Sequence, residues 1–188
     1  TYIALQGLSF VLRDSPGGFI NVDITSVITY KVGPIPLAFV VLVLAVALME
    51  WQLRSRPWGW KIRAVGSEEE AARRVGVQTN KIVISGYVLT SIFTLFGAVL
   101  LTAQLGVGDP SQGIGYTLSS ITAVVLGGTS LLGGRGSFVG TLLGSLLLIQ
   151  VLNATVFLGL TQTWQYVLQG GLILIAAVLY SLARQRRK

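Results

Sequence analysis

Residues 136–183 read GSFVGTLLGSLLLIQVLNATVFLGLTQTWQYVLQGGLILIAAVLYSLA and hold no aspartate, glutamate, lysine or arginine. Two further stretches share that property, Ile82 to Val107 and Pro110 to Gly134. Each is close to or longer than the roughly 20 residues that a helix needs to cross the hydrocarbon layer of a bilayer. An ionised residue at mid-bilayer costs about 2.5–3.5 kcal/mol on insertion scales, so lipid solvation accounts for the gaps. The remaining composition agrees. The 188 residues are 52% hydrophobic and 11% charged, with mean hydropathy +0.72. A soluble domain carries about a quarter charged residues, and this inventory cannot build such a surface. The expected fold is all-α: a polytopic helical membrane protein.

The chain opens at Thr1 within an apolar stretch that ends at Leu12, too short to span, with no basic n-region or cleavage motif before it. The start is therefore expected to be the end of a truncated span in a longer protein. Residues 13–33, RDSPGGFINVDITSVITYKVG, form a polar, turn-rich connection containing Arg13, Asp14, Asp23 and Lys31. Five complete spans are expected, at 34–51, 82–105, 116–132, 138–160 and 164–182. Pro34 and Pro36 stand near the start of the first, where proline is tolerated. Glu50 to Lys81 is the one substantial hydrophilic segment, GVGDPSQGIG after Leu105 is a loop, and ARQRRK ends the chain.

Basic residues near span ends orient the chain. The 50–81 segment holds Arg54, Arg56, Lys61, Arg63, Arg73, Arg74 and Lys81. The tail adds Arg184, Arg186, Arg187 and Lys188, and the turn between two spans adds Arg135. The connections of opposite parity hold only Arg13 and Lys31. With the 50–81 loop and the C-terminus cytoplasmic, every crossing agrees. Had 116–132 dipped in and returned, the tail would lie outside. A full crossing is expected, interrupted if anywhere at Gly127-Gly128. Trp51, Trp58, Trp60 and Tyr180 then fall near the inner interface and Tyr116, Trp164 and Tyr166 near the outer one, the zone amphipathic rings favour.

Cysteine and histidine are both absent, which removes disulfides, thiolate nucleophiles, most zinc sites and the usual proton shuttle. No intramembrane acid is available for a catalytic dyad, so an enzyme is not expected, nor is a proton- or ion-coupled carrier. The net charge of +7 fits a cytoplasmic membrane face and requires no nucleic acid. Gly128 and Gly133 have Walker-like spacing, but Gly134 and Arg135 stand where Lys and Ser/Thr belong. No metal, cofactor or nucleotide site is expected in this chain.

Three segments could carry function. Ser67-Glu68-Glu69-Glu70 reads as a capping box, with Ser67 at the N-cap and Glu70 three residues on. Arg73 and Arg74 suit the last turn and Gly76 the stop, giving a helix of about two turns near 68–75. Ala71, Ala72 and Val75 give it a shallow apolar side. Such a helix is marginal alone, so it either lies on the headgroups or seats in a groove of a cytoplasmic partner. In GGTSLLGGRGSFVGTLLGS, residues 127–145, Gly140 and Gly144 make a small-xxx-small stripe suited to helix packing, with Gly127 and Gly128 at its start. Uncharged polar residues inside the spans form the third group: Gln104, Ser119, Thr122, Thr129, Ser130, Gln150, Asn153 and Gln169, with Trp164 at a pathway mouth. They satisfy one another between helices or line a hydrated path for a neutral polar solute.

RPWGWKIRAVGSEEEAARRVGV (56–77), ITAVVLGGTSLLGGRGSFVGTLLGSLLL (121–148), Asn153 and WQYVLQGGLILIAAV (164–178) resemble the ribose-type permeases of ABC sugar importers, and TYIALQGLSFVLRDSPGG (1–18) is similar to a middle segment of that family. The resemblance runs through the whole chain in order and spacing. Family permeases usually have about twice the spans expected here, and an Asn commonly stands where Ser67-Glu68 are found. The resemblance implies a single permease domain over 1–188, truncated at its start, with a cytoplasmic coupling loop at 52–81. Its implied partners are a second permease subunit, ATPase subunits that bind the ATP and magnesium, and a periplasmic or lipid-anchored binding protein that delivers a monosaccharide. It also implies that Gly66, Ser67, Glu69, Glu70, Ala71, Ala72, Arg73, Val75 and Gly76 couple ATPase closure to the spans, with Glu69, Ala71, Ala72, Val75 and Gly76 bearing the force. Branched-chain amino acids or nucleosides remain alternative solutes.

Overall fold

The computed structural model of the chain describes residues 2–13, 15–20, 25–26, 30–111 and 113–185. Asp14, Asp23, Arg186, Arg187 and Lys188, named above, lie outside the described residues, as do the side chains of Lys31, Tyr180 and Arg184. Among the described residues, eight helices and four short strands follow in the order α1 (Tyr2–Leu12), β1 (Gly17–Phe19), β2 (Lys31–Val32), β3 (Ile35–Pro36), α2 (Leu37–Ser55), α3 (Pro57–Ser67), α4 (Glu69–Arg74), α5 (Thr79–Leu105), β4 (Val107–Gly108), α6 (Ile114–Leu126), α7 (Phe138–Phe157) and α8 (Gln162–Gln185). The chain groups into two compact units, Thr1–Ala45 with Ser85–Gly115, and Val46–Ile84 with Tyr116–Lys188.

In the first unit, β1 pairs antiparallel with β4, Gly17 facing Gly108 and Phe19 facing Val107. The Arg13 guanidinium donates to the Gly17 carbonyl at 2.7 Å and holds the turn that leads into β1. β2 and β3 form a hairpin closed at Gly33, whose φ of +67° is the left-handed conformation that glycine adopts without strain. This hairpin, with the Leu37 N–H donating to Tyr30 at 2.8 Å, delays the first spanning helix from the expected residue 34 to Leu37.

Outward-facing α5 is apolar almost throughout, with Leu95 and Phe96 more than 60% exposed. Water would penalise such a surface and hydrocarbon would not. Its hydroxyls need no neighbour: Thr90, Ser91, Thr94 and Thr102 each donate to the carbonyl four residues back. That internal bond lets a polar side chain face lipid.

Among the described residues, α2, α5 and α7 are long and apolar enough to cross a membrane. The span expected over 116–132 differs. Its helix, α6, has 13 residues and stops at Leu126. At 1.5 Å per residue it covers about 20 Å, short of the roughly 30 Å hydrocarbon layer. The stop is a Schellman turn: Gly128 takes φ +81°, its N–H bonds the Val125 carbonyl, and the Thr129 N–H bonds that of Val124. Among the described residues, three of the expected spans are met by helices of sufficient length, and α6 is too short by itself.

The 50–81 segment also departs from the expectation of a loop with one short helix. Glu50 lies within α2, and Pro57 opens α3, an additional helix that runs to Ser67. Arg56 before it is extended, as the residue preceding proline must be, and Pro57 occupies the first turn, where it loses no hydrogen bond.

Candidate functional site

The second unit joins α2, α3, α4, α6 and α7 through backbone contacts that glycine makes possible. The first four N–H groups of a helix have no partner inside it. At the start of α7, the Glu50 carboxylate accepts from Phe138 at 2.7 Å and from Val139 at 3.4 Å. The Ser137 hydroxyl accepts from Gly140 at 2.9 Å. Three of the four donors are therefore occupied, two of them by a residue 88 positions away. The other oxygen of Glu50 accepts from Arg54 one turn on. Glu50 is only 7% exposed, so this charge is held by the contacts and not by water.

The turn that precedes α7 lies on the end of α3. A side chain at Gly133 would collide with the Gly66 carbonyl oxygen, and one at Gly134 with the Ser67 hydroxyl. Gly133 and Gly134 also have φ of +84° and +75°. This approach explains a correction to the capping box. Ser67 is the last residue of α3, and Glu68, extended at φ −158°, is the N-cap of α4 with no side-chain cap bond. The helix upstream continues through Ser67, and its hydroxyl is turned to Gly134 instead.

Helix α4 carries Glu69 and Glu70 in its first turn, Arg73 and Arg74 in its last, and ends in a Schellman turn at Gly76 (φ +84°). Gly76 bonds Arg73, and Val77 bonds Ala72. The helix has two faces. Ala72 is 3% exposed and turned inward, whereas Glu69, Ala71 and Gly76 are exposed and Val75 is 77% exposed. The three apolar residues therefore do not share a face.

Gly127, Gly140 and Gly144 form the crossing of α6 with α7. A side chain at Gly127 would meet the Gly140 carbonyl, and one at Gly144 the Ala123 carbonyl. Gly128 has no neighbour near its Cα and serves the turn alone.

A cavity of about 400 Å³ opens beside the turn. Leu53, Trp58, Ile62, Val124 and Phe138 form its apolar wall, and Arg63, Arg135, Thr129, Ser130, Ser137 and Thr141 its polar one. Arg63 reaches the Gly136 carbonyl through a long 3.4 Å bond, and its Nε is buried with no partner. Nearby, Arg56 lies 4.8 Å over the Trp51 ring and Lys61 lies 5.6 Å over that of Trp60.

The polar residues of the spans separate into groups. Ser119 donates to the Gln169 side chain at 3.3 Å, joining α6 to α8, and Gln169 is 3% exposed. Thr122, on the same helix as Ser119, is buried and spends its hydroxyl on the Leu118 carbonyl at 2.8 Å. Thr129 and Ser130, grouped with them among the polar residues of the spans, are not on this helix. They stand in the turn beyond it, where the Ser130 N–H bonds the Arg135 carbonyl. Gln104, Gln150, Asn153 and Trp164 are exposed. Sequence reasoning missed the tie from Glu50 to α7 and the buried Nε of Arg63. The available signals were a glutamate four residues before Arg54 and a serine just before an apolar run.

The family described as branched-chain amino acid transport system / permease component matches residues 4–177. This chain belongs to that permease family. Among curated relatives it is similar to the ribose import permease protein of Bacillus subtilis (strain 168), at 37% identity over 145 residues, covering 77% of this chain and 45% of the relative. The ribose import permease protein of Haemophilus influenzae is 32% identical over 186 residues, covering 95% and 57%. The fructose import permease protein of Rhizobium meliloti is 38% identical over 140 residues, covering 74% and 39%. The chain spans about half the length of these permeases. No solved structure matches it.

Proposed function

We propose that the chain forms part of the membrane-spanning permease subunit of a binding-protein-dependent ABC importer for a monosaccharide. The observation that carries this reading is the alignment of a family member with permeases named for ribose, fructose and arabinose import. In this reading the chain is not an enzyme. ATP and magnesium bind to partner ATPase subunits, a second permease subunit completes the pathway, and a binding protein delivers the sugar from outside. The protein then resides in the inner membrane as one multi-pass domain, with 52–81 as its coupling loop.

Chain connectivity supports the topology. In this reading residues 17–19 and 107–108, paired as β1 and β4, share one side of the membrane. Two spanning helices, α2 and α5, separate them, which leaves the segment between those helices on the other side. Gly133 and Gly134 lie against Gly66 and Ser67 of that segment. The path from Gly108 to Gly133 therefore favours a crossing by α6 plus the residues that follow it. With α7 and α8 crossing in turn, five crossings result and the basic C-terminus joins the arginine-rich 54–74 segment in the cytoplasm.

The exposed face of α4, with Glu69, Ala71, Val75 and Gly76, is the surface offered to the ATPase. Gly66, Ser67 and buried Ala72 hold that face to α3 and the turn at 133–134, and exposed Glu70 and Arg73 flank it. Ser119 and Gln169, with Thr122 beside them, are the polar pair nearest to a pathway wall between helices. Gln104, Thr129, Ser130, Gln150, Asn153 and Trp164 complete the candidate pathway set. The family's description favours branched-chain amino acids as the alternative solute. Stimulation of ATPase activity in the reconstituted importer by its binding protein, loaded in turn with ribose, other monosaccharides or leucine, tests the proposal. A response to leucine and to no sugar would overturn it.

A further inference from the structure

We infer that the cavity between α3 and the turn before α7 binds a phosphate group, supplied by an anionic phospholipid of the leaflet on the α3 side. Four observations converge. The polar wall contains two guanidinium groups, Arg63 and Arg135, and no carboxylate. Among the described residues neither arginine pairs with an acid. The Arg63 Nε–H is buried and unpartnered, so a donor is already withdrawn from water with nothing to accept it. A buried unmade bond to a charged donor is unfavourable, and an acceptor of opposite charge relieves it.

The hydroxyl oxygens of Ser130 and Ser137 accept the backbone N–H groups of Leu132 and Gly140, and each hydroxyl keeps a proton to donate. Phosphate oxygens accept both hydroxyl and guanidinium protons, and neutral sugars do not draw on two fixed cations. Glu50 is bonded to the backbone of Phe138, which lines the cavity, and both of its oxygens are engaged. One of its oxygens is engaged by Arg54 and the other by Phe138 and Val139.

The opposite wall decides the source of the phosphate. Leu53, Ile62, Val124 and Phe138 are apolar, and Trp58 stands with them. Arg56 and Lys61 sit over exposed Trp51 and Trp60 in the same stretch. Aromatic rings with basic partners mark the headgroup level of a membrane protein. Basic pockets between helices on the cytoplasmic side suit anionic headgroups, while an apolar wall suits the start of an acyl chain. Free phosphate would use only half of the cavity.

The test uses the full-length permease in neutral detergent. Native mass spectrometry reads the bound mass during titration with phosphatidylglycerol, with phosphatidylcholine and with inorganic phosphate. One phosphatidylglycerol should be retained per chain in preference to phosphatidylcholine. Arg63→Gln and Arg135→Gln should each weaken retention about fivefold, the effect of one basic group at a membrane surface. Arg135 is exposed, so its substitution leaves the fold intact even if Arg63→Gln disturbs it. Arg56→Gln, outside the cavity, should change retention much less. Equal retention of the two lipids, or unchanged retention in Arg135→Gln and Arg63→Gln, would overturn the site. Arginine-dependent binding of inorganic phosphate without any phosphatidylglycerol preference would overturn the lipid as its source.

Discussion

The backbone N–H of Phe138 donates to the carboxylate of Glu50 at 2.7 Å, so the last turns of α2 hold the first turn of α7. The contact answers two needs together. A nearly buried carboxylate requires donors, and a helix start within a membrane protein requires acceptors. A carboxylate also favours the positive end of the helix dipole.

Glu50→Ala should lower stability by about 1–3 kcal/mol, because it leaves N–H groups of α7 and the Arg54 guanidinium without their acceptor. Glu50→Gln keeps a neutral acceptor and should lose about half as much, since charge-assisted bonds are roughly twice as strong. Thermal unfolding in detergent measures both. Equal melting points for the wild type and Glu50→Ala would remove the clamp from the account.

Glycine should be replaceable in one helix and not in another. Gly97 of α5 has open space around it, so Gly97→Ala should be neutral or stabilising by up to about 1 kcal/mol. Gly144→Ala pushes a methyl into the Ala123 carbonyl and should cost about 1–3 kcal/mol. Detergent-solubilised melting curves compare them, and Gly144→Leu should prevent assembly altogether.

Adjacent alanines of α4 should give opposite phenotypes. Ala71 is exposed, so Ala71→Glu should spare insertion and yield while abolishing binding-protein-stimulated uptake. Ala72 is buried, so Ala72→Glu should reduce the amount of folded protein by forcing an unpaired charge inward. Uptake at wild-type rate in Ala71→Glu would refute the docking face.

These 188 residues hold no cysteine, and in a full-length permease cleared of any other cysteine single introduced thiols report topology. A membrane-impermeant maleimide applied to intact cells should label Ser111→Cys, next to β4. It should label Val75→Cys, which is 77% exposed at the end of α4, only after permeabilisation. Reversed labelling would invert the orientation.

Some of the site was legible from local pattern. Gly76 after Arg73-Arg74 signalled a helix stop, and the structure gives it φ +84° with both Schellman bonds. Ser67 misled because a serine three residues before a glutamate reads as a cap only when the chain before it is not helical. Pro57 could have revealed α3, since proline suits a first helical turn and Trp58, Ile62 and Val65 recur after it at helical spacing. The 116–132 span was read as a full crossing because its hydropathy is unbroken, with Gly127-Gly128 as the one place for an interruption, and the helix does stop there. Hydropathy is blind to a glycine pair that turns the backbone.

By itself the sequence determined that lipid surrounds this protein and which connections carry its basic charge. Those outcomes are sums of single-residue transfer energies, which composition along the chain already contains. Tertiary structure alone decided that Glu50 caps a helix 88 residues away and that Gly133 lies on Gly66. Each of these depends on a backbone group from a distant segment arriving within bonding or contact distance, and no local pattern records who that neighbour will be.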